Sequence, residues 1–339
     1  MPLYAVYALL FSDAGLGTSE ISLLFLVWSA TAVLLEVPSG ALADRFTPRA
    51  TLVAAGFVRA LGYALWILTP TFAGFAAGFA LWGVAGSLES GAFQALLYSG
   101  LHRHGAADRY PSVLGRSVAV AGVVEVGATL AAAPLLLVGG TALVGWVSIA
   151  VCLAGSAVAA GFPRAAHEGP GDRNEDQAGY LELLRSGVRE AWHQAPVRRL
   201  VIVLAVVTGV TAVDEYVPLL ARAADVPDPW IPVVLAGLPL AAAAGNALAG
   251  AAARRRASVV GVPLAAATGL VAVTAAVGSP ALLPAIGVWY MAVNLATVLA
   301  DARLQAAATG PARATVTSVA GLGSELAAIG MFVGVAVLS

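Results

Sequence analysis

From Ile21 to Ala43 the chain is almost wholly apolar; a tight turn carrying Asp44, Arg45 and Arg49 follows, and a second apolar run continues to Leu68. A charged turn this short, between two runs long enough to cross a bilayer, reads as the hinge of a membrane hairpin, with its arginines on the cytoplasmic side. The pattern recurs along the chain. Further apolar runs span about 72–101, 112–138, 141–161, 200–221, 230–253, 257–277, 280–300 and 314–338, while Met1 to Phe11 is apolar but short. Composition leaves lipid as the only solvent that suits such runs: 60% of the 339 residues are hydrophobic and 11% charged, against about 25% charged in soluble domains. A membrane β-barrel would alternate in polarity, and these runs are apolar all round. The expectation is an all-α integral membrane protein of about eleven transmembrane helices.

Orientation follows from the basic residues, all 18 of them arginine. With the turn at Asp44 inside, Arg103, Arg109, Arg116, the triplet Arg254–Arg256, Arg303 and Arg313 also fall inside; Arg222 falls outside, and Arg59 lies within a helix. This asymmetry is the positive-inside signal, and it predicts a multi-pass protein of the cell's inner (plasma) membrane. The long polar segment 162–199 is then cytoplasmic. It opens as a flexible Gly/Pro-rich linker. It then places Tyr180, Leu184, Val188 and Trp192 on one helical face, as a surface amphipathic helix or an ordinary connector would. The domain reading is an N-terminal bundle over 1–161, the linker over 162–199, and a C-terminal bundle over 200–339. Net charge is near zero, which gives no attraction to nucleic acid.

The two bundles echo one another. Ala41-Leu42-Ala43 recurs at Ala247-Leu248-Ala249, and Ser112-Val113 with Gly115 recurs at Ser318-Val319 with Gly321; both recurrences are 206 residues on (41 to 247, 112 to 318). A shared offset at equivalent places in the topology points to duplication. On that offset the first helix is expected to be shortened and a twelfth absent; a natural eleven-helix chain is the alternative.

Ionisable groups at membrane depth are costly and mark function by default. At a rise of ~1.5 Å per residue, Glu36, Arg59, Glu89, Glu125, Glu325, Asp214 and Glu215 lie roughly 10–23 Å from the cytoplasmic helix ends. Arg59 stays charged and needs an acid, for which Glu89 and Glu36 stand at similar depth. A fixed structural pair and a pair that breaks during transport both fit. Glu125 and Glu325 have no basic residue at hand in the pattern; each is either a neutral, hydrogen-bonded glutamic acid or a carboxyl that loads a proton on one side and releases it on the other. Gly321 and Gly323 precede Glu325 and permit close helix contact. Asp214 and Glu215 form an adjacent acid pair suited to a proton or cation, or to solvation at an outer helix end. Asn246, Trp289, Tyr290 and Asn294 could line a substrate cavity, although packing is the commoner fate of such aromatics. No cysteine–histidine cluster offers a metal site, and no Gly-Lys-Ser/Thr loop offers a nucleotide site, so neither metal, cofactor nor enzymatic activity is expected.

The loop Gly40-Ala-Leu-Ala-Asp44-Arg45, with Arg49 following, resembles the signature loop of the major facilitator superfamily; Thr47 and Pro48 replace its second glycine and one basic residue. Glu89-Ser-Gly-Ala followed by Gln94-Ala-Leu-Leu-Tyr98 resembles bacterial efflux-type members. The arginine and the glycine–proline element of proton antiporters are absent. The resemblance implies two pseudo-symmetric six-helix bundles related by an axis along the membrane normal. It also implies that Gly40, Asp44, Arg45 and Arg49 form a conformational latch, with Asp44 attracting the positive end of a helix in the opposite bundle. The expected activity is alternating-access transport of a small, mostly hydrophobic molecule by a monomer, with proton-coupled efflux as the leading mode. Metabolite uptake by facilitation or symport is the alternative within the class; a non-transporting sensor or an inactive fragment is the alternative outside it.

Overall fold

The computed structural model describes residues 1–43, 47–89, 92–162, 194–252, 258–279, 281–307 and 312–339, and among them every regular element is helical. A 3₁₀ turn, Pro2–Ala5, precedes twelve α-helices: α1 (Tyr7–Asp13), α2 (Thr18–Ala43), α3 (Pro48–Leu68), α4 (Phe72–Glu89), α5 (Ala92–Arg103), α6 (Tyr110–Gly161), α7 (Ala195–Gly209), α8 (Val217–Ala223), α9 (Ile231–Ala252), α10 (Ser258–Ala276), α11 (Leu282–Ala307) and α12 (Ala312–Leu338). Eight stretches among the described residues are long and apolar enough to cross a membrane. One of these is the 52-residue α6, whose ladder is interrupted at Gly139 and Gly140. Gly140 adopts φ +60°, ψ −164°, a conformation that a side chain would oppose. Divided there, and with α10 and the short N-terminal rod added, the count reaches about eleven. The chain is therefore a multi-pass, all-helical membrane protein.

Local chemistry sets the helix starts. The Gly17 N–H donates to Glu20 Oε2 at 3.0 Å, the return half of a capping box at the head of α2. At the head of α3, Thr47 Oγ1 accepts from the Ala50 N–H at 3.2 Å, and Pro48 takes the first helical position. Thr47 and Pro48 are the two residues that replace signature glycine and basic positions, and here they act as a cap and a preformed first turn. Thr47→Ala is expected to cost about 1 kcal/mol, read as a lower melting temperature of the purified chain.

The chain divides into two compact units. The first comprises Met1–His167, Asp225–Ala236 and Phe332–Ser339. In it α3 is the central rod, packed against α4 on one side and α6 on another. The α3–α4 contact is close because Gly62 and Gly78 face one another. A Cβ at Gly78 would collide with the Trp66 indole and approach the Gly62 carbonyl oxygen at 2.9 Å. Into this notch Trp66 donates its Nε1–H to the Phe75 carbonyl at 3.1 Å. Tyr7, Phe11, Phe25, Phe75 and Phe79 complete a fully buried aromatic core. The 3₁₀ turn at the start is tied down by the Leu3 N–H, which donates to Ser148 Oγ of α6 at 2.9 Å.

The second unit comprises Glu168–Ala224 and Gly237–Met331. Here α11 packs against α7 and α10. Val197, Val201 and Leu204 of α7 meet Ala300 and Leu304 of α11 and Val316 and Ala320 of α12. Gly209 of α7 lies against Ala327 and Ser324 of α12, and a Cβ on Gly323 would stand 2.9 Å from that of Ala205. Small residues at these crossings let the backbones approach, as membrane helix packing requires in the absence of a hydrophobic drive between rods.

Candidate functional site

In the first unit the polar centre lies where α3 meets α4. The Arg59 guanidinium donates twice to Glu89, Nη1 to Oε1 and Nη2 to Oε2, each at 2.7 Å. This fork-to-fork geometry is the strong form of the arginine–carboxylate pair. The two partners are unequally enclosed, the Arg59 side chain being 16% exposed and that of Glu89 38%. The guanidinium carbon also lies 5.6 Å from the centre of the Trp82 ring, within cation–π range. Trp82 in turn stacks on Tyr4, their rings 5.7 Å apart and 4° from parallel. Glu36 and Gly40 stand on α2, outside the described side chains; Asp44 and Arg45 lie outside the described residues, and Arg49 is the half-buried second residue of α3.

Tyr63 and Trp82 belong to this centre although neither was expected in it. Tyr63 follows Arg59 by four residues, and Trp82 precedes Glu89 by seven, so each shares a helix face with its charged neighbour. That spacing was the signal available in the sequence. Tyr63 is wholly buried, and its ring meets Trp82 edge-on at 5.3 Å.

In the second unit the acid pair sits at a helix discontinuity. Between α7 and α8 the chain tightens into a 3₁₀ segment, Val210–Tyr216, in which the Val217 N–H donates to the Asp214 carbonyl. Pro218 explains the change: it has no N–H to give to Asp214, so the α-helical ladder is cut at that carbonyl. Asp214 Oδ2 accepts from the Tyr290 hydroxyl of α11 at 3.0 Å. Glu215 and Tyr216 beside it are buried. The Asn294 amide donates to the Tyr290 carbonyl one turn earlier at 2.8 Å. Trp289 is a core residue of this unit, buried with Ala267, Ala292 and Val293, and its indole N–H donates to Thr268 Oγ1 at 3.1 Å. Asn246 is exposed on α9.

The two remaining carboxylates are not enclosed by the protein. Glu125 lies on an exposed face of α6 beside Val123 and Val124, and Glu325 is exposed on α12.

Against this geometry stand the comparisons with known proteins. The sequence model of the Major Facilitator Superfamily matches residues 1–336. A search of curated protein sequences returns no match. Among solved structures, the chain resembles a bacterial homologue of the human lysosomal transporter Spinster in its inward-facing, unoccupied conformation, with 19% identity, a TM-score of 0.69, and coverage of 97% of this chain and 79% of that one. It resembles a variant of the nucleoside transporter NupG at 11% identity and a TM-score of 0.70, covering 99% and 85%. It also resembles a D-xylose–proton symporter at 12% identity and a TM-score of 0.68, covering 97% and 83%. At such identities the likeness is one of fold. With the family match running over nearly its whole length, the chain belongs to the Major Facilitator Superfamily.

Proposed function

We propose that the chain is a secondary transporter that moves a small, largely apolar molecule by alternating access, coupled to protons and working as an exporter from the inner membrane. The observation that carries this reading is the Arg59–Glu89 pair, a forked ion pair held at bilayer depth in a chain whose family is one of transporters. A buried pair adds little stability over an apolar replacement, so its presence asks for another reason. In this reading the pair breaks and reforms as the protein changes state. Glu125, Glu325 and the Asp214–Glu215 pair are the coupling carboxylates, and Gly40, Asp44, Arg45 and Arg49 form the latch. Asn246, Trp289, Tyr290 and Asn294 supply the C-terminal bundle's contribution to the substrate cavity. The segments 1–161 and 200–339 act as the two bundles, with 162–199 as their cytoplasmic linker, in a monomer.

The test is proton-gradient-driven flux in proteoliposomes. With an acid interior, the purified chain is expected to move protons outward when radiolabelled apolar compounds are supplied outside, reported by trapped pyranine. Glu125→Gln and Glu325→Gln should each abolish gradient-driven flux while leaving exchange without a gradient. Unaltered gradient dependence in both variants would assign these residues a structural role instead.

A further inference from the structure

The centre around Arg59 has more donors than acceptors. Glu89 satisfies Nη1 and Nη2. Among the described residues, Arg59 Nε, the Tyr63 hydroxyl and Trp82 Nε1 are buried without a hydrogen-bond partner. Tyr63 is 0% and Trp82 9% exposed, so water has little access to either side chain. Leaving a buried donor unmade is expensive, and three at one helix contact is a concentration that packing alone does not favour. Two of the three are N–H groups that can only donate. A site so composed selects a group rich in lone pairs.

The resident carboxylate shows which group fits, because Glu89 already occupies the fork in the bidentate geometry that a carboxylate prefers. Glu89 is also the looser partner, more than twice as exposed as Arg59. One turn before it on the same face, Gly86 is exposed, with nothing within 4 Å of where its Cβ would stand. Beside the fork lies an aromatic wall of Trp82 and Tyr4, with Trp28 edge-on to Trp82 at 6.1 Å; Tyr4 is 36% exposed.

We propose that this centre binds the carboxylate of an apolar, ring-bearing acid: Arg59 is the anchor, Trp82 and Tyr63 are additional donors, and Glu89 is a built-in competitor that yields the guanidinium to the incoming anion. Binding is then an exchange of one carboxylate for another at the Arg59 fork, and no covalent bond changes. The inference rests on the transporter reading for its purpose, but its test does not.

Benzoate is the probe, with benzamide as its neutral isostere and acetate as its ringless counterpart, applied to the full chain in nanodiscs. Benzoate is expected to raise the melting temperature and quench tryptophan fluorescence, at concentrations more than about tenfold below those at which either control does so. Glu89→Gln should melt lower than wild type, and benzoate should restore its melting point, with affinity raised about tenfold or more by removal of the competitor. Tyr63→Phe should weaken benzoate several-fold; a merely orphaned hydroxyl would instead leave benzoate unaffected and the variant more stable. Equal responses to benzoate and benzamide, or no rescue of Glu89→Gln, overturn the proposal. Binding without flux would refute the transport reading alone, and flux without carboxylate preference would refute this site alone.

Discussion

Replacing Glu89 with leucine is expected to cost about 3–5 kcal/mol, the usual penalty for stranding one member of a buried ion pair, and to cost more than replacing Arg59 with leucine. The asymmetry follows from chemistry and exposure. A guanidinium cannot shed its charge, and that of Arg59 is 16% exposed, with Trp82 against it. The Glu89 carboxylate left behind by Arg59→Leu is 38% exposed and so less enclosed by protein than the guanidinium. That single variant should therefore lose roughly 1–3 kcal/mol. The double variant should recover most of the loss, since an apolar pair of similar volume is often as stable as the ions it replaces. Thermal unfolding of the four proteins in one detergent measures the cycle. Recovery of stability without recovery of flux would separate the pair's role in transport from its role in folding. Equal losses in the two single variants would contradict the exposures on which the argument rests.

The second large effect concerns packing. Gly78→Ala is expected to destabilise the first unit by about 1–3 kcal/mol, and Gly78→Leu by more. The added carbon meets the Trp66 indole and the Gly62 backbone, and the backbone atom cannot rotate aside. Relief is available only from Trp66, which gives up its hydrogen bond to Phe75 if it moves. In the background of Trp66→Leu, itself costly because it opens space in a fully buried aromatic core, Gly78→Ala should cost measurably less than in the wild type. Residues in contact couple in this way and distant ones do not. Melting temperature reports the cycle, and additive costs would mean that α3 and α4 do not meet at this notch.

What the sequence disclosed and what it withheld divide along physical lines. Bilayer-length apolar runs are visible because lipid demands them over whole segments. The double glycine at 139–140 reads as a turn between two apolar runs, and the structure breaks the α6 ladder there. Arg59, the lone intramembrane arginine, needed an acid at its own depth; that left Glu36 and Glu89, and the structure pairs it with Glu89. Depth along a rod is legible because rise is constant; rotation about the rod is much less so in runs that are apolar on every side. For that reason the burial of Trp289 against Ala267, Ala292 and Val293 was not legible in its run, and Tyr63 and Trp82 went unnoticed beside Arg59. The 3₁₀ segment at Asp214 was legible in principle from Pro218, but the adjacent acids drew attention to charge rather than to the missing N–H.

That segment has a mechanical corollary. A continuous α-helix resists flexing because each degree of bend strains bonds spanning four residues. Pro218 cannot supply the N–H that would reach back four residues to Asp214, whose carbonyl is held instead by the Val217 N–H, one residue nearer. The phenol of Tyr290 rests on the carboxylate at the pivot, fastened to a different rod. The junction between Val210–Tyr216 and α8 is thus cross-braced to α11 through a side-chain O–H···O bond as well as through its own backbone.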